Sequence, residues 1–170
     1  MIKTLYKIFK VGTITESLTP EQNDNFEYVG DCCKKIIDGK FNGSLSIRQI
    51  DAGSCNGCEL EIHALNNSFY NIERFGIHFV ASPRHADLLM VTGPVSRNME
   101  SALITTYNAT PNPKIVLAIG DCGACGGVFG CSYACAGAIS NVIPVDGIIN
   151  GCPPTPMNLL QGILKLLQDK

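Results

Sequence analysis

The sequence contains no tryptophan, and charged residues make up only 16% of its 170 positions. A typical soluble domain has about 25%. Hydrophobic residues reach 45%, so the chain is not intrinsically disordered. Its net charge of −2 argues against nucleic acid as a partner. We infer from the scarcity of charge that other subunits cover much of the surface.

Long apolar runs are also missing. Spanning a bilayer takes about 18 consecutive apolar residues, and Gln161 and Lys165 interrupt the leucine-rich C-terminal segment. No secretory signal is visible, because Lys7 and Lys10 interrupt the apolar residues after Met1. The expected compartment is the reducing cytosol, where spaced cysteines are more typical of metal ligands than of disulfides.

The pattern divides the chain into an N-terminal extension, residues 1–43, and one α/β domain, residues 44–170. Residues 1–10 predict a short amphipathic helix, suited to a membrane surface or a partner protein. Its apolar side holds Ile2, Leu5, Tyr6 and Phe9, and its basic side holds Lys3, Lys7 and Lys10. Residues 11–43 are rich in turn formers and acids, which predicts a surface extension with one helix.

Strands and helices alternate in the second part. Strands are predicted at 44–53, 77–82, 87–93 and 114–120, and helices at 55–73, 99–107 and 156–168. Leu60, Ala64 and Leu65 are expected on the inner side of the first of these helices. The alternation predicts a parallel sheet covered by helices on both faces. Ligands of such sheets bind outside the carboxyl ends of the strands.

Four cysteines follow predicted strands, in loops rich in glycine and proline. They are Cys55, Cys58, Cys122 and Cys152. Glycine lets the backbone approach a bulky ligand closely, and four thiolates suit either Zn²⁺ or an iron–sulfur cluster. Structural zinc sites usually use two tight pairs, whereas three separate loops contribute here, which favours the cluster. Zinc, or four structural cysteines with no ligand, remains the alternative.

The other five cysteines have no assigned role: Cys32, Cys33, Cys125, Cys131 and Cys135. Cys125 forms a competing Cys-x2-Cys pair with Cys122. Cys131 and Cys135 have the spacing of two residues on one side of a helix. The ordinary interpretation of each is a small buried hydrophobe or a free thiol.

Five segments occur in a characteristic order: DAGSCNGCELEI, ERFGI, ASPRHADLLMVTGPVS, AIGDCGACGGVF and NGCPPTP. Together they resemble the small subunit of energy-converting, membrane-bound [NiFe] hydrogenases, a group that includes formate hydrogenlyase. The resemblance covers about residues 45–168. The chain is more distantly similar to the 20-kDa cluster subunit of respiratory complex I. Those relatives have two adjacent cysteines in the first motif, so Cys55-Asn-Gly-Cys58 matches the hydrogenase side.

The resemblance implies a flavodoxin-like domain that holds one [4Fe–4S] cluster through Cys55, Cys58, Cys122 and Cys152, with Cys125 outside the set. The implied role is electron transfer for reversible reduction of protons to H₂, at a nickel–iron centre in another polypeptide. The implied partners are the hydrogenase large subunit, a ferredoxin-like cluster subunit and membrane-arm subunits, on the cytoplasmic face of the membrane. The alternatives are a quinone-reducing subunit of the complex I type and a zinc-stabilised interaction module.

No catalytic residue is expected in this chain, with one candidate exception. Glu59 directly follows Cys58 and is a candidate proton relay. Its alternative role is that of a solvated acid at a helix N-terminus, where the helix dipole favours it. Arg84 and His85, in the SPRHAD segment, are expected at a surface contact facing the cluster or the membrane arm.

Overall fold

The computed structural model describes residues 2–11 and 20–169. Its helices are α1 (Ile2–Val11), α2 (Pro20–Lys40), α3 (Gly57–Ala64), α4 (Arg97–Ala109), α5 (Gly120–Cys125) and α6 (Pro156–Asp169). Its strands are β1 (Leu45–Asp51), β2 (Ile77–Phe79), β3 (Leu88–Thr92), β4 (Val95–Ser96), β5 (Ile115–Ile119), β6 (Cys135–Gly137) and β7 (Gly147–Ile149). Single turns of 3₁₀-helix lie at Ile72–Phe75, Pro83–His85 and Ile139–Asn141.

Five parallel strands form the main sheet in the order β2-β1-β3-β5-β7. This is the flavodoxin-like order, in which the chain moves outward from the first strand in both directions. The strands β3 and β5 are buried along their whole length. Short β4 and β6 pair antiparallel, beside this sheet. The predicted fold class is confirmed.

Helices cover both faces of the sheet, because alternate strand residues point to opposite sides. Leu88 and Met90 of β3 join the core that α2, α3 and α6 cover. Leu89 and Val91 of the same strand join the core under α4. The loops that carry Cys55 and Cys58, Cys122, and Cys152 follow the carboxyl ends of β1, β5 and β7.

Helix α2 belongs to the main core, although its segment was expected on the surface. Four of its side chains are buried at helical spacing: Phe26, Val29, Cys33 and Ile37. At its end, Lys40 Nζ donates a hydrogen bond of 2.9 Å to the Leu167 carbonyl of α6. Glu27, Asp31 and Asp38 of this helix are exposed, and the acidic composition of the segment obscured its apolar side. Residues 12–19 lie outside the described part of the chain.

Helix α3 is shorter than predicted, and the prediction that Leu60 lies on its inner side was wrong. It ends at Ala64, and Asn67 Oδ1 then accepts hydrogen bonds from the backbone of Phe69 and Tyr70, which turn the chain. Leu60 is 62% exposed, whereas Ile62 is buried. Because a helix repeats every 3.6 residues, a face that buries Ile62 directs Leu60 away from the core.

Candidate metal centre

The loop after β1 carries two of the four cysteines, and Asp51 shapes it. Asp51 Oδ1 accepts hydrogen bonds of 2.8 Å from the backbone of both Gly53 and Ser54. Such a turn lets a short side chain replace the strand's lost hydrogen bonds. The chain then passes Cys55 and enters α3, which carries Cys58 in its first turn.

The loops after β5 and β7 are joined through Asp121. Its Oδ1 accepts a hydrogen bond of 2.8 Å from the backbone of Gly151. Its own N–H donates to the Gly151 carbonyl at 3.0 Å. This reciprocal pair holds the loop of Cys122 beside the loop of Cys152. Asp121 was not among the predicted site residues, although its place directly before Cys122 in AIGDCG was a usable signal.

All four predicted cysteines line one cavity of about 140 Å³ at this edge of the sheet. Cys55 and Cys152 are exposed there, and Cys58 and Cys122 are half-buried. Cys125 is not among the lining residues. Its thiol donates instead to the Asp121 carbonyl, with the sulfur and oxygen 3.2 Å apart. The cavity therefore gathers the four cysteines of the predicted set and leaves out the competing one.

Glycines bring the backbone close to two of these sulfurs. A Cβ atom at Gly120 would lie 2.7 Å from Cys58 Sγ, and one at Gly127 would lie 2.7 Å from Cys122 Sγ. Both glycines have positive φ angles, which side chains disfavour. The loops are thus built for direct contact between backbone and sulfur.

The electrostatics of the cavity disfavour negative charge on two of the sulfurs, those of Cys58 and Cys122. Burial is the main cause that raises the pKa of Cys58 from its usual 9.0 to about 12, and the charges of Glu59, Cys55, Cys122 and Cys152 add to it. Burial also raises the pKa of Cys122, followed by repulsion from Cys152 and Cys55. A positively charged group among the sulfurs would offset this cost for Cys58 and Cys122.

The donor set fits such a group. Four thiols and the carboxyl-bearing Asp121 line the cavity, and its described lining contains no Lys, Arg or His. Sulfur ligands with glycine-rich backbone around them are typical of iron–sulfur sites. In the described part of the chain, no three or more His, Cys, Asp or Glu side chains stand in the arrangement of a metal-ion site, so the chemistry of the donor set, and not the present positions of the side chains, supports the candidate.

Glu59 is buried, at 4% exposure. The alternative role of a solvated acid at the helix end is therefore wrong. Both carboxyl oxygens are buried without a hydrogen-bond partner among the described residues. Glu59 is not among the residues that line the cysteine cavity. Its role as a proton relay stays a prediction.

The remaining candidates lie outside the cavity. Arg84 and His85 are exposed in the 3₁₀ turn after β2. Cys131 and Cys135 do not share a helix, because Cys135 belongs to β6 and a turn joins it to Ser132. Cys33 is buried in the core beside α6.

The fold and the four-cysteine edge define a class of protein: an α/β domain of flavodoxin-like order with a candidate metal centre at the carboxyl ends of its strands. Comparison with known families then identifies it. The chain belongs to the family described as NADH ubiquinone oxidoreductase, 20 Kd subunit, which matches residues 55–166. Members of this family are subunits of oxidoreductase complexes, among them hydrogenases.

The curated relatives include subunits of hydrogenases and subunits of NADH-quinone oxidoreductases. The chain is 44% identical over 134 residues to "Formate hydrogenlyase subunit 7" of Escherichia coli, covering 77% of this chain and 52% of the relative. It therefore spans about half the length of that relative. It is 45% identical to "Probable membrane-bound hydrogenase subunit mbhJ" of Pyrococcus furiosus, covering 76% and 78%. It is 46% identical to an NADH-quinone oxidoreductase subunit of Herpetosiphon aurantiacus, covering 64% and 61%.

Solved structures agree with the fold. A chain of the membrane-bound sulfane sulfur reductase, described as an archaeal respiratory membrane complex, matches with a TM-score of 0.65 and 39% identity, over 74% of this chain and 69% of that one. A chain of an NAD⁺-reducing [NiFe]-hydrogenase matches with a TM-score of 0.58 at 16% identity, over 75% and 93%, which supports the fold alone. None of the described helices is long and apolar enough to cross a membrane.

Proposed function

We propose that this chain is the electron-transfer small subunit of a membrane-bound [NiFe] hydrogenase. Cys55, Cys58, Cys122 and Cys152 would hold one [4Fe–4S] cluster, proximal to a nickel–iron centre in the large subunit. When bound, such a cluster passes single electrons, here for the reversible reduction of protons to H₂.

The observation that carries this proposal is the common cavity of the four cysteines. Three loops contribute them, and the pair of hydrogen bonds between Asp121 and Gly151 fixes two of those loops to each other. Linking these two loops before a ligand binds reduces the conformational freedom that their cysteines would lose on binding it. The backbone that Gly120 and Gly127 bring to the sulfurs also tunes the potential of a bound cluster.

The first cysteine motif favours a hydrogenase over a quinone reductase. Cys55 and Cys58 are separated by Asn56 and Gly57, unlike the adjacent cysteines of the complex I relatives. Asn56 has a left-handed backbone, with φ 71°, which moves Cys58 into the first turn of α3. The relatives by themselves do not separate the two, since the hydrogenase subunits are 44% and 45% identical and the NADH-quinone oxidoreductase subunit is 46% identical, so the choice rests on the cysteine motif.

A large partner would cover the surface beside the cavity. The loop between α5 and β6 exposes three bulky apolar side chains: Val128 (96%), Phe129 (57%) and Tyr133 (98%). Such residues in solvent mark interaction sites when they are grouped. Because this loop continues directly from Cys122, we assign it to the large subunit.

Helix α1 would attach the chain to the membrane arm. Tyr6, Phe9 and Val11 are exposed, and Lys3, Lys7 and Lys10 are exposed as well. The side chains of Ile2 and Leu5, predicted on the same apolar side, lie outside the described part of the chain. A helix this short binds lipid weakly, so contact with membrane-arm subunits should dominate.

Anaerobic purification tests the proposal. The expected product is a brown, oxygen-sensitive complex with about four irons per chain, in the stoichiometry of one [4Fe–4S] cluster. Its large subunit should carry two Cys-x2-Cys pairs, and the separated small chain should evolve no hydrogen. A brown complex without that large subunit would favour the quinone-reductase alternative. A colourless protein with stoichiometric zinc would refute the cluster.

A further inference from the structure

A second cavity, of about 260 Å³, lies at the carboxyl end of β2. It shares no lining residue with the cysteine cavity. The polar residues that line it come from β1, α3 and the turn after α3: Arg48, Gln49, His63 and Asn66. Phe79 and Val80, where β2 ends, form its apolar side.

The cavity exists because β2 is shorter than β1. The pairing of the two strands ends with Ile47 opposite Phe79, and the Val80 N–H donates a last hydrogen bond of 2.8 Å to the Ile47 carbonyl. β1 continues to Asp51. In the described part of the chain, no strand lies beside β1 on that side from Arg48 onward.

The lining is rich in hydrogen-bond donors and carries positive charge. Arg48, Gln49, Asn66 and His63 all bear N–H groups, and the described lining contains no Asp or Glu. The Nε atom of Arg48 is buried without an acceptor. Arg48 takes part in neither of the ion pairs found among the described residues, Arg74–Glu27 and Arg97–Glu100.

We propose that this cavity binds a carboxylate through Arg48. The guanidinium is permanently charged, and its planar fork matches a carboxylate in shape. Ligand pockets for larger molecules start at roughly 300 Å³, so this cavity suits one acidic side chain or a small acid. The carboxylate belongs either to an acidic residue of a neighbouring subunit or to a free dicarboxylate. The proposal does not depend on the cluster.

A cross-linking experiment separates these two sources. Carbodiimide joins an amine to a carboxylate in contact with it, so Arg48→Lys would trap a bound carboxylate as an amide. The full chain is purified with its accompanying subunits, treated in the presence of isotopically labelled succinate, digested and analysed by mass spectrometry. The control is Arg97→Lys, because Arg97 pairs with Glu100 of its own chain, at 3.0 Å; it should give that internal link and the background level of succinate adduct of an exposed lysine.

Each outcome decides the proposal. An amide between position 48 and an acidic residue of another subunit supports the protein source. A labelled succinate adduct at position 48, in excess of that at position 97 of the control, supports the free acid, and Arg48→Gln should then weaken succinate binding at least tenfold in calorimetry. If Arg48→Lys keeps its far-UV circular dichroism and forms neither product, the proposal is overturned. Iron content and colour, measured on the same samples, report separately on the proposed cluster.

Discussion

The sulfur of Cys58 lies against the backbone of Gly120, so closely that a Cβ atom at Gly120 would stand 2.7 Å from it. The two residues are far apart in the chain, and the ends of β1 and β5 bring them together. The contact makes Gly120 part of the candidate metal centre without contributing a ligand atom.

Gly120→Ala should therefore lose most of the bound iron while the sheet stays folded. Its matched control is Gly130→Ala. Gly130 also has a positive φ, 53° against 78° at Gly120, but a Cβ atom there would meet nothing within 4 Å. Both changes incur backbone strain of about 1–2 kcal/mol, and only Gly120→Ala pushes on Cys58. Equal iron content in the two variants would mean that the contact between Gly120 and Cys58 does not matter for holding iron.

Serine substitutions test the ligand set. Changing Cys55, Cys58, Cys122 or Cys152 should abolish the low-temperature EPR signal of a four-iron cluster or convert it to a smaller species, because each removes one thiolate. Cys125→Ser is the control, since its thiol donates to the Asp121 carbonyl outside the cavity. An intact signal in Cys122→Ser together with its loss in Cys125→Ser would reverse the assignment.

The sequence predicted the sheet well where strands are long and apolar. The run over 114–120 became β5, buried along its length. Strand β7 was missed, because it has three residues and its Ile148 is exposed. One helix was predicted in the segment of α2, but its burial was missed: Phe26, Val29, Cys33 and Ile37 have helical spacing, and the acids of the segment favoured exposure instead.

Some features of the candidate site were also predictable from the sequence, and others were not. The common location of the four cysteines was predictable, because residues that follow parallel strands meet at one edge of the sheet. The pairing of Asp121 with Gly151 was not, since it depends on how two loops meet in space. Nor was the burial of Glu59, because the predicted orientation of α3 turned Leu60 inward instead.

Replacing Glu59 should raise the stability of the complex and, if Glu59 relays protons, lower its activity. Its two carboxyl oxygens are buried without partners among the described residues, and an unpaired buried polar group costs about 1–3 kcal/mol. Glu59→Met, which is similar in length and apolar, should raise the temperature at which the cluster's visible absorbance is lost. If Glu59 relays protons, the same variant should slow hydrogen turnover.

The half-buried Glu61, two residues further along α3, is the control. Glu61→Met should change neither quantity greatly. A Glu59→Met complex that is more stable and turns over at the wild-type rate would refute the relay and leave Glu59 with a structural cost alone. A less stable variant would mean that Glu59 has a partner in the assembled complex.

Deleting residues 1–12 should detach the hydrogenase part from the membrane. None of the four cysteines lies in this segment, so the cluster and the activity with artificial dyes should persist in the soluble fraction.

Changing Lys3, Lys7 and Lys10 to glutamine removes the charge that attracts lipid headgroups and keeps the exposed Tyr6 and Phe9. If contact with membrane-arm subunits dominates, this variant should stay bound in washed membranes, whereas the deletion should not. If the truncated complex stays as firmly attached as the wild type, α1 only packs locally on its own chain. The membrane attachment would then lie in the SPRHAD segment or elsewhere.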